Sequence, residues 1–414
     1  MRRRIGVYNL ISEGGGAGKS CAVVAERLSR DHDVSLIIGN EVSASQWETF
    51  YGVDLSRVRV ISLNLPAQNL LRRWSTSGHL APAVHARLDL LRVKLRATLE
   101  HANSRRIRAL GLDLLINKHP CSILPCPAPR GIYLCTFPRA MKGQGQSNPT
   151  HGILHRAYRA LGDHLVGMTD DVLDSYQVIA ANSGFTAEWI ERLWRRKASV
   201  VYSSSEDMGP PLPKEKMIFH VGRFNALWRQ DYKHQRTLVD AFRGLTSLHE
   251  RGWRLHLAGS LDAGSADTNT IAELQRAADE LPVEFHPNAS FEVLRSLYRR
   301  ASVYWHATGY GSVPDQQPEK QEHFGITVVE AMSAGAVPVV LNSGGPRETV
   351  QHECSGFLWN NLAELRRYTE LLASDPTLMR QLGENAITSS LRFQRAAFEE
   401  RIATLTESLL RRNV

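Results

Sequence analysis

Two carboxylates eight positions apart, Glu322 and Glu330, sit in a stretch that could also hold an anion: Gln321 to Pro346, QEHFGITVVEAMSAGAVPVVLNSGGP. The pattern reads as loop, helix, turn, strand and Gly-rich loop. Phe324-Gly325-Ile326 opens a helix to about Ala334, and Gly335 closes it. Val337 to Leu341 is an apolar, β-branched run, the composition of a buried parallel strand. Gly344-Gly345-Pro346 then ends the strand in a tight loop. A helix N-terminus beside a Gly-rich turn suits a phosphate, because backbone N–H groups and the helix dipole both favour an anion. Eight helical residues span ~12 Å, which is room for one carboxylate on a sugar, the other on a ribose, and a diphosphate between them. A Glu at each end of a short helix is also common as a dipole partner or a solvated face, so the pair alone decides nothing.

Two cations belong to the same picture. Ile218 to Val221 reads as a strand, followed by Gly222-Arg223-Phe224, a polar loop to Lys233, and a helix from Gln235 to Leu248. This order puts Arg223 and Lys233 at the carboxyl end of a sheet, where α/β folds bind ligands. Near the start, Ile5 to Ile11 is an apolar strand, then comes Gly14-Gly15-Gly16-Ala17-Gly18-Lys19-Ser20, a helix Cys21 to Leu28 and a strand Val34 to Ile38. That is the opening of a βαβ unit. Gly18-Lys19-Ser20 invites a P-loop reading, but Glu13 stands where the pattern requires Gly, and Gly14 stands where partition-type ATPases place a lysine. The next strand ends in Gly39-Asn40-Glu41, without an Asp to hold magnesium.

The string Glu322-x7-Glu330, with His323-Phe324-Gly325-Ile326 inside it and Ala331 to Val339 after it, resembles the signature of family 4 retaining glycosyltransferases of the GT-B fold. The leaning is towards relatives that act on lipid-linked acceptors, such as lipid-linked-oligosaccharide mannosyltransferases. The resemblance implies an α/β protein with two Rossmann-like domains facing each other across a cleft. It implies a catalytic set of Arg223, Lys233 and Glu322. Donor contacts would come from Gly14, Gly15, Gly16, Phe324, Gly325, Ile326, Thr327 and Glu330. Arg223 and Lys233 would hold the diphosphate, Glu330 the ribose and Glu322 the sugar. The transfer would be retaining and front-face, with no metal and no cofactor beyond a GDP- or UDP-sugar donor.

Bulk properties are compatible with this. The chain has 414 residues, enough for two or three domains, with 43% hydrophobic and 22% charged residues. No apolar run approaches the ~18 residues of a membrane helix. Arg2-Arg3-Arg4 faintly suggests a signal peptide, but Glu13 and the glycines break the apolar segment that follows. A net charge of +8 favours anionic partners. Five cysteines without paired spacing fit a reducing compartment, and His119, Cys121, Cys126 and Cys135 match no usual zinc spacing.

The remaining elements follow in order. Leu65 to Leu110 is helical and Arg-rich (Arg72, Arg73, Arg87, Arg92, Arg96, Arg105, Arg106, Arg108), either a solvated face or a surface for anionic lipid. Leu112 to Asn117 and Gly131 to Phe137 are strands. Thr136-Phe137-Pro138 stands where relatives acting on lipid-linked sugars have His-aromatic-Pro, so that histidine's role is not carried over. His119 is read first as a loop histidine and His306 as a satisfied strand-end residue. Tyr176 to Ala180 is a strand, and Ala187 to Trp194 a helix with Ser183 or Thr186 at its cap. Strands follow at Arg254 to Ala258, Val283 to His286 and Val303 to Ala307, with Pro287-Asn288-Ala289 in the position where relatives contact the base. Leu362 to Leu372, Thr377 to Ser390 and Ala396 to Leu410 are helices.

The expected organisation is an acceptor domain over 1–207, joined by a returning helix at about 395–414, a linker at 208–216, and a nucleotide-sugar domain over 217–394. The expected activity is hexosyl transfer from GDP-mannose or a UDP-hexose to a glycan, glycolipid or small-molecule acceptor. Nucleic acid is not an expected partner. The expected location is the cytoplasm, at the inner membrane face if the Arg-rich segment meets anionic lipid. The competing classes are a partition-type P-loop ATPase and a non-catalytic sugar-nucleotide-binding protein.

Overall fold

The computed structural model describes residues 2–10, 16–39, 52–63, 102–120, 122–141, 167–224, 233–261 and 265–412. They divide into two units, Met1–Val201 with Glu399–Val414, and Tyr202–Phe398. Gly14 and Gly15, residues 142–148, residues 225–232 and most of the Arg-rich segment, including Arg72, Arg73, Arg87, Arg92 and Arg96, lie outside the described residues.

The first unit contains β1 (Arg4–Asn9), α1 (Gly16–Ser29), β2 (Asp33–Ile38), β3 (Val58–Ser62), β4 (Leu114–Asn117), β5 (Gly131–Cys135), α2 (Asp170–Asp174), β6 (Val178–Ala181), α3 (Gly184–Trp194) and β7 (Ser199–Val200). Its sheet runs β3-β2-β1-β4-β5-β6-β7, with parallel pairing throughout. The central strands are buried along nearly their whole length, as continuous apolar runs in a parallel sheet must be. Ser183 caps α3 by accepting the Thr186 N–H at 3.0 Å.

The second unit contains β8 (Glu215–Val221), α4 (Gln235–Arg243), α5 (Thr246–Glu250), β9 (Arg254–Gly259), α6 (Ser265–Ala277), β10 (Val283–Pro287), α7 (Phe291–Arg300), β11 (Ala301–His306), α8 (Ile326–Ser333), β12 (Val337–Leu341), α9 (Pro346–Thr349), β13 (Phe357–Trp359), α10 (Leu362–Ser374) and α11 (Pro376–Ser390). The last helix, α12 (Arg395–Arg411), adds its residues from Glu399 onward to the first unit. The second sheet runs β10-β9-β8-β11-β12-β13, again all parallel. Its two faces pack separately, as period-two alternation requires. Ile218, Leu255, Leu257, Val303, Trp305, Val337 and Val339 build one core, while Met217, Phe219, Ala258, Tyr304 and Val340 build the other.

One detail differs from the sequence reading for a physical reason. The helix expected over Gln235–Leu248 breaks at Gly244, which caps α4 before α5 begins. Residues 208–216 are pinned along the second unit: Met208 N–H donates to Ser333 Oγ (3.1 Å), Arg299 donates to the Pro210 carbonyl (2.7 Å), and Lys214 Nζ donates to the carbonyls of Ala301 (2.9 Å) and Ala334 (2.7 Å).

Candidate functional site

In each sheet the strand order reverses direction once, beside the first strand of that unit. For the second sheet this switch lies between β8 and β11. Open α/β sheets bind ligands outside the carboxyl ends of the strands at such a point. The chain places Gly222-Arg223 there at the end of β8, and His306 as the last residue of β11.

Three side chains meet at this point. Lys233 Nζ donates to Glu322 Oε2 at 2.7 Å, and His306 Nε2 lies 3.2 Å from the same oxygen. His306 is 1% exposed, and the side chains of Lys233 and Glu322 are 23% and 20% exposed. Burial by itself would raise the Glu322 carboxyl; the Lys233 ammonium and the His306 hydrogen bond outweigh it and hold the group well below the usual carboxylate range. Burial lowers His306, which leaves it neutral, with Nε2–H as the donor. Lys233 is seated by a glycine. A Cβ on Gly222 would stand 2.9 Å from both Cβ and Cγ of Lys233 and 2.8 Å from His220 Nε2. Arg223 follows on the same strand end and is exposed.

The backbone around Glu322 is locked by the Gly-rich loop after β12. Gly345 N–H donates to the Glu322 carbonyl at 2.8 Å. A Cβ on Gly344, whose φ is +64°, would fall 2.2 Å from the Glu322 carbonyl oxygen, and one on Gly345 would fall 2.4 Å from the His323 carbonyl oxygen. Only glycine permits this approach. Gln321, fully buried, accepts from Ser343 Oγ (2.5 Å) and donates to Ser312 Oγ (2.7 Å), which fixes the loop entering Glu322.

The helix α8 begins at Ile326, two residues later than Phe324, because Gly325 takes a left-handed conformation (φ +91°) at its N-cap. No side chain caps this end. Phe324 is buried against Tyr202 and Phe393, and Ile326 and Thr327 are half-buried. Further along α8, Glu330 Oε2 accepts from Tyr298 Oη at 3.0 Å. Burial lifts the Tyr298 hydroxyl well above its ordinary range, with the Glu330 charge adding to the effect, so Tyr298 is a permanent donor. The structure therefore brings Lys233 and Glu322 together with His306, and holds Glu330 separately through Tyr298. His306 is a member that the sequence reading set aside. Its strand-end position is read from the sequence, but only the pairing of β11 with β8 shows it beside Lys233 and Glu322.

In the first unit the switch lies between β1 and β4. Asn9 ends β1, and Asn117, Lys118 and His119 continue from β4, all four buried. His119 Nδ1 lies 3.3 Å from Asn9 Oδ1 and packs edge-on to Tyr8. The buried Lys118 is lowered by desolvation, partly offset by the thiols of Cys21 and Cys135. Gly16 opens α1, and Thr136 is half-buried, its carbonyl accepting from Thr186 Oγ1 at 3.2 Å.

Residues 206–389, which hold the whole Lys233–Glu322–His306 cluster, match the family described as glycosyl transferases group 1. This segment is similar to group 1 glycosyltransferase domains. A GDP-Man:Man(3)GlcNAc(2)-PP-Dol alpha-1,2-mannosyltransferase of Dictyostelium discoideum is 27% identical to the chain over 260 residues, 58% of the chain and 48% of the relative. The alpha-1,3/1,6-mannosyltransferase ALG2 of Mus musculus is 27% identical over 249 residues, 55% of each. The chain thus spans about half the length of these curated relatives. Among solved structures, Anabaena Alr3699/HepE in complex with UDP-glucose superposes with a TM-score of 0.62 at 16% identity, over 99% of this chain and 100% of the other. That likeness establishes the GT-B fold.

Proposed function

We propose that the protein is a metal-independent, retaining glycosyltransferase of family 4 type, moving a hexose from a nucleotide-diphosphate sugar to a glycan or lipid-linked acceptor. The observation that carries this is the Lys233–Glu322–His306 cluster at the switch point, just ahead of the uncapped N-terminus of α8. Lys233, Arg223 and the first amides of α8 supply positive potential for a departing diphosphate. Both contacts to Glu322 fall on Oε2, which leaves Oε1 for a sugar hydroxyl. Glu330, oriented by Tyr298, is the ribose acceptor of hydrogen bonds. Transfer is front-face, as the family resemblance implies, and the leaving phosphate takes the acceptor's proton on the face where the bond breaks. Support for GDP-mannose as donor, and for a lipid-linked glycan as acceptor, comes from the names of the mannosyltransferase relatives; UDP-glucose in the HepE complex keeps a UDP-hexose as the second choice.

The test is thermal stability against UDP, GDP, ADP and Mg-ATP, each with and without EDTA, followed by transfer from the sugar of whichever nucleotide binds. A ligand at 100 times its Kd adds about 2.7 kcal/mol. A GDP or UDP shift that EDTA leaves intact supports the transferase. A shift with Mg-ATP alone overturns it in favour of an ATPase, and tight nucleotide-sugar binding without transfer favours a binding protein.

A further inference from the structure

Apart from the candidate donor site, β9 and β10 assemble a different set of side chains. The parallel register pairs Glu284 with His256, and period two puts His286 on the same face of β10 as Glu284. His256 Nδ1 lies 3.0 Å from His286 Nε2 and 3.7 Å from Glu284 Oε2, and the ligand atoms of all three residues fall within 4.8 Å of one another. Among the described residues this is the one such group of His, Cys, Asp or Glu. The other carboxylate oxygen, Oε1, accepts from Arg254 Nη1 at 2.8 Å, which orients Oε2 towards the histidines. His256 is 6% exposed, and the other two are half-buried.

We propose that His256, Glu284 and His286 form a site for one zinc-type divalent cation that clasps the edge strand β10 to β9. Two imidazoles and one carboxylate suit zinc rather than magnesium or calcium, which take oxygen ligands. Tetrahedral ligands with bonds of ~2.1 Å stand ~3.4 Å apart, close to the separation of the two nitrogens; a small rotation of Glu284 completes the set. The Arg254 contact is the kind of outer hydrogen bond that orients a ligating carboxylate.

The consequence is local rigidity. β10 is an edge strand, with β9 as its one neighbour among the described residues. The loops that leave the two strands are already tied together, since Leu261 N–H donates to Asn288 Oδ1 at 2.8 Å and Asn288 N–H to the Gly259 carbonyl at 2.9 Å. An ion on the same strands would hold that pair of loops. This role is structural and does not rest on the transferase reading.

The experiment is direct metal binding by the full chain, stripped with EDTA, dialysed, and kept free of nucleotide. Zinc is titrated calorimetrically and cobalt by its visible absorption, with magnesium as the control. The expected result is one equivalent of zinc and one of cobalt, a raised melting temperature with zinc, and no response to magnesium. Glu284→Gln, isosteric and half-exposed, and His286→Gln should each weaken zinc binding at least tenfold, since even an outer-shell change costs about 10- to 100-fold. Absence of stoichiometric binding would mean that the two rings share only an N–H···N hydrogen bond, and it overturns the site. Zinc affinity unchanged in both variants would place the ion elsewhere among the 16 histidines and overturn it equally.

Discussion

Lys233 Nζ and Glu322 Oε2, separated by 89 positions in sequence, are 2.7 Å apart at the carboxyl end of the second sheet. The two are not equally able to lose each other. Lys233 is a flexible stem that can swing its ammonium into water. Glu322 is anchored by a backbone pinned under Gly344 and Gly345. Lys233→Ala should therefore cost more stability than Glu322→Gln, because it leaves a mostly buried carboxylate with only a neutral imidazole as partner. Glu322→Gln should instead fall on turnover. Loss of a charge-assisted hydrogen bond worth about 1.5–3 kcal/mol corresponds to kcat lower by roughly 10- to 150-fold, with GDP or UDP affinity little changed. Melting temperatures in the reverse order would show that the pair is not asymmetric in this way.

His306 is predicted to act as a positioning residue on Glu322. His306→Ala removes the Nε2 donor, and His306→Gln returns an N–H at a similar reach. The expected result is a lower kcat in the Ala variant, partly restored in the Gln variant, with KM for the donor nearly constant. Equal losses in both would reduce His306 to a packing residue.

Acid should destabilise the second unit through His220. This ring is fully buried with Nδ1 2.9 Å from the Trp305 carbonyl, and burial pushes it down to about 3. Its folded pKa lies below the unfolded value of ~6.5. Between these values the unfolded chain takes up a proton that the folded chain refuses, so stability is complete above ~6.5 and falls with pH by up to about 1.4 kcal/mol per unit. Melting curves from pH 7.5 to 4.5 should show this slope, and His220→Asn should start lower at pH 7.5 yet lose less on acidification. Parallel curves for the two proteins would remove His220 from the account.

The strands that build both sheets are legible in the sequence, because parallel strands buried on both faces are written as continuous apolar runs such as Val337 to Leu341 and Ile5 to Asn9. Two edge strands are not: β3 has one buried residue followed by exposed and half-buried ones, and β13 has three residues. Lys233 and Glu322 were recognisable by residue type within a motif. His306 was not, because a histidine at a strand end carries no local sign of the carboxylate that register brings beside it. The His256–Glu284–His286 group is invisible for the same reason, since only the pairing of β9 with β10 makes neighbours of residues 30 positions apart. The close approach of Gly344 to the Glu322 carbonyl is likewise a property of two segments, not of either one.

That approach gives a prediction of its own. Gly344→Ala combines a left-handed φ of +64° with a Cβ 2.2 Å from a carbonyl oxygen that the backbone holds in place. Gly311→Ala carries similar strain (φ +74°) but would have nothing within 4 Å of its Cβ. The second change should cost about 1 kcal/mol, and the first should exceed it by about 1–3 kcal/mol of overpacking and displace Glu322. Denaturant titration of both variants measures the difference. Equal costs would mean that the Glu322 loop yields freely and is not what holds the carboxylate in place.

Glu330 and Arg223 should separate binding from turnover. Glu330 is held by Tyr298 on α7, remote in sequence from the cations, whereas Arg223 extends from the strand end beside Lys233. Glu330→Ala is expected to weaken nucleotide binding, raising the dissociation constant by roughly 10-fold or more for a hydrogen-bonded carboxylate worth about 1.5–3 kcal/mol. Tyr298→Phe removes one hydrogen bond to the same carboxylate without deleting it and should give a smaller loss in the same direction. Arg223→Ala should leave that constant nearly unchanged and lower kcat, since a charge that meets the departing diphosphate contributes most in the transition state. Calorimetry with GDP and UDP, followed by initial rates with the matching sugar donor, reads both quantities. An unaltered dissociation constant for Glu330→Ala removes it from the ribose, and an unaltered kcat for Arg223→Ala removes that residue from the leaving group.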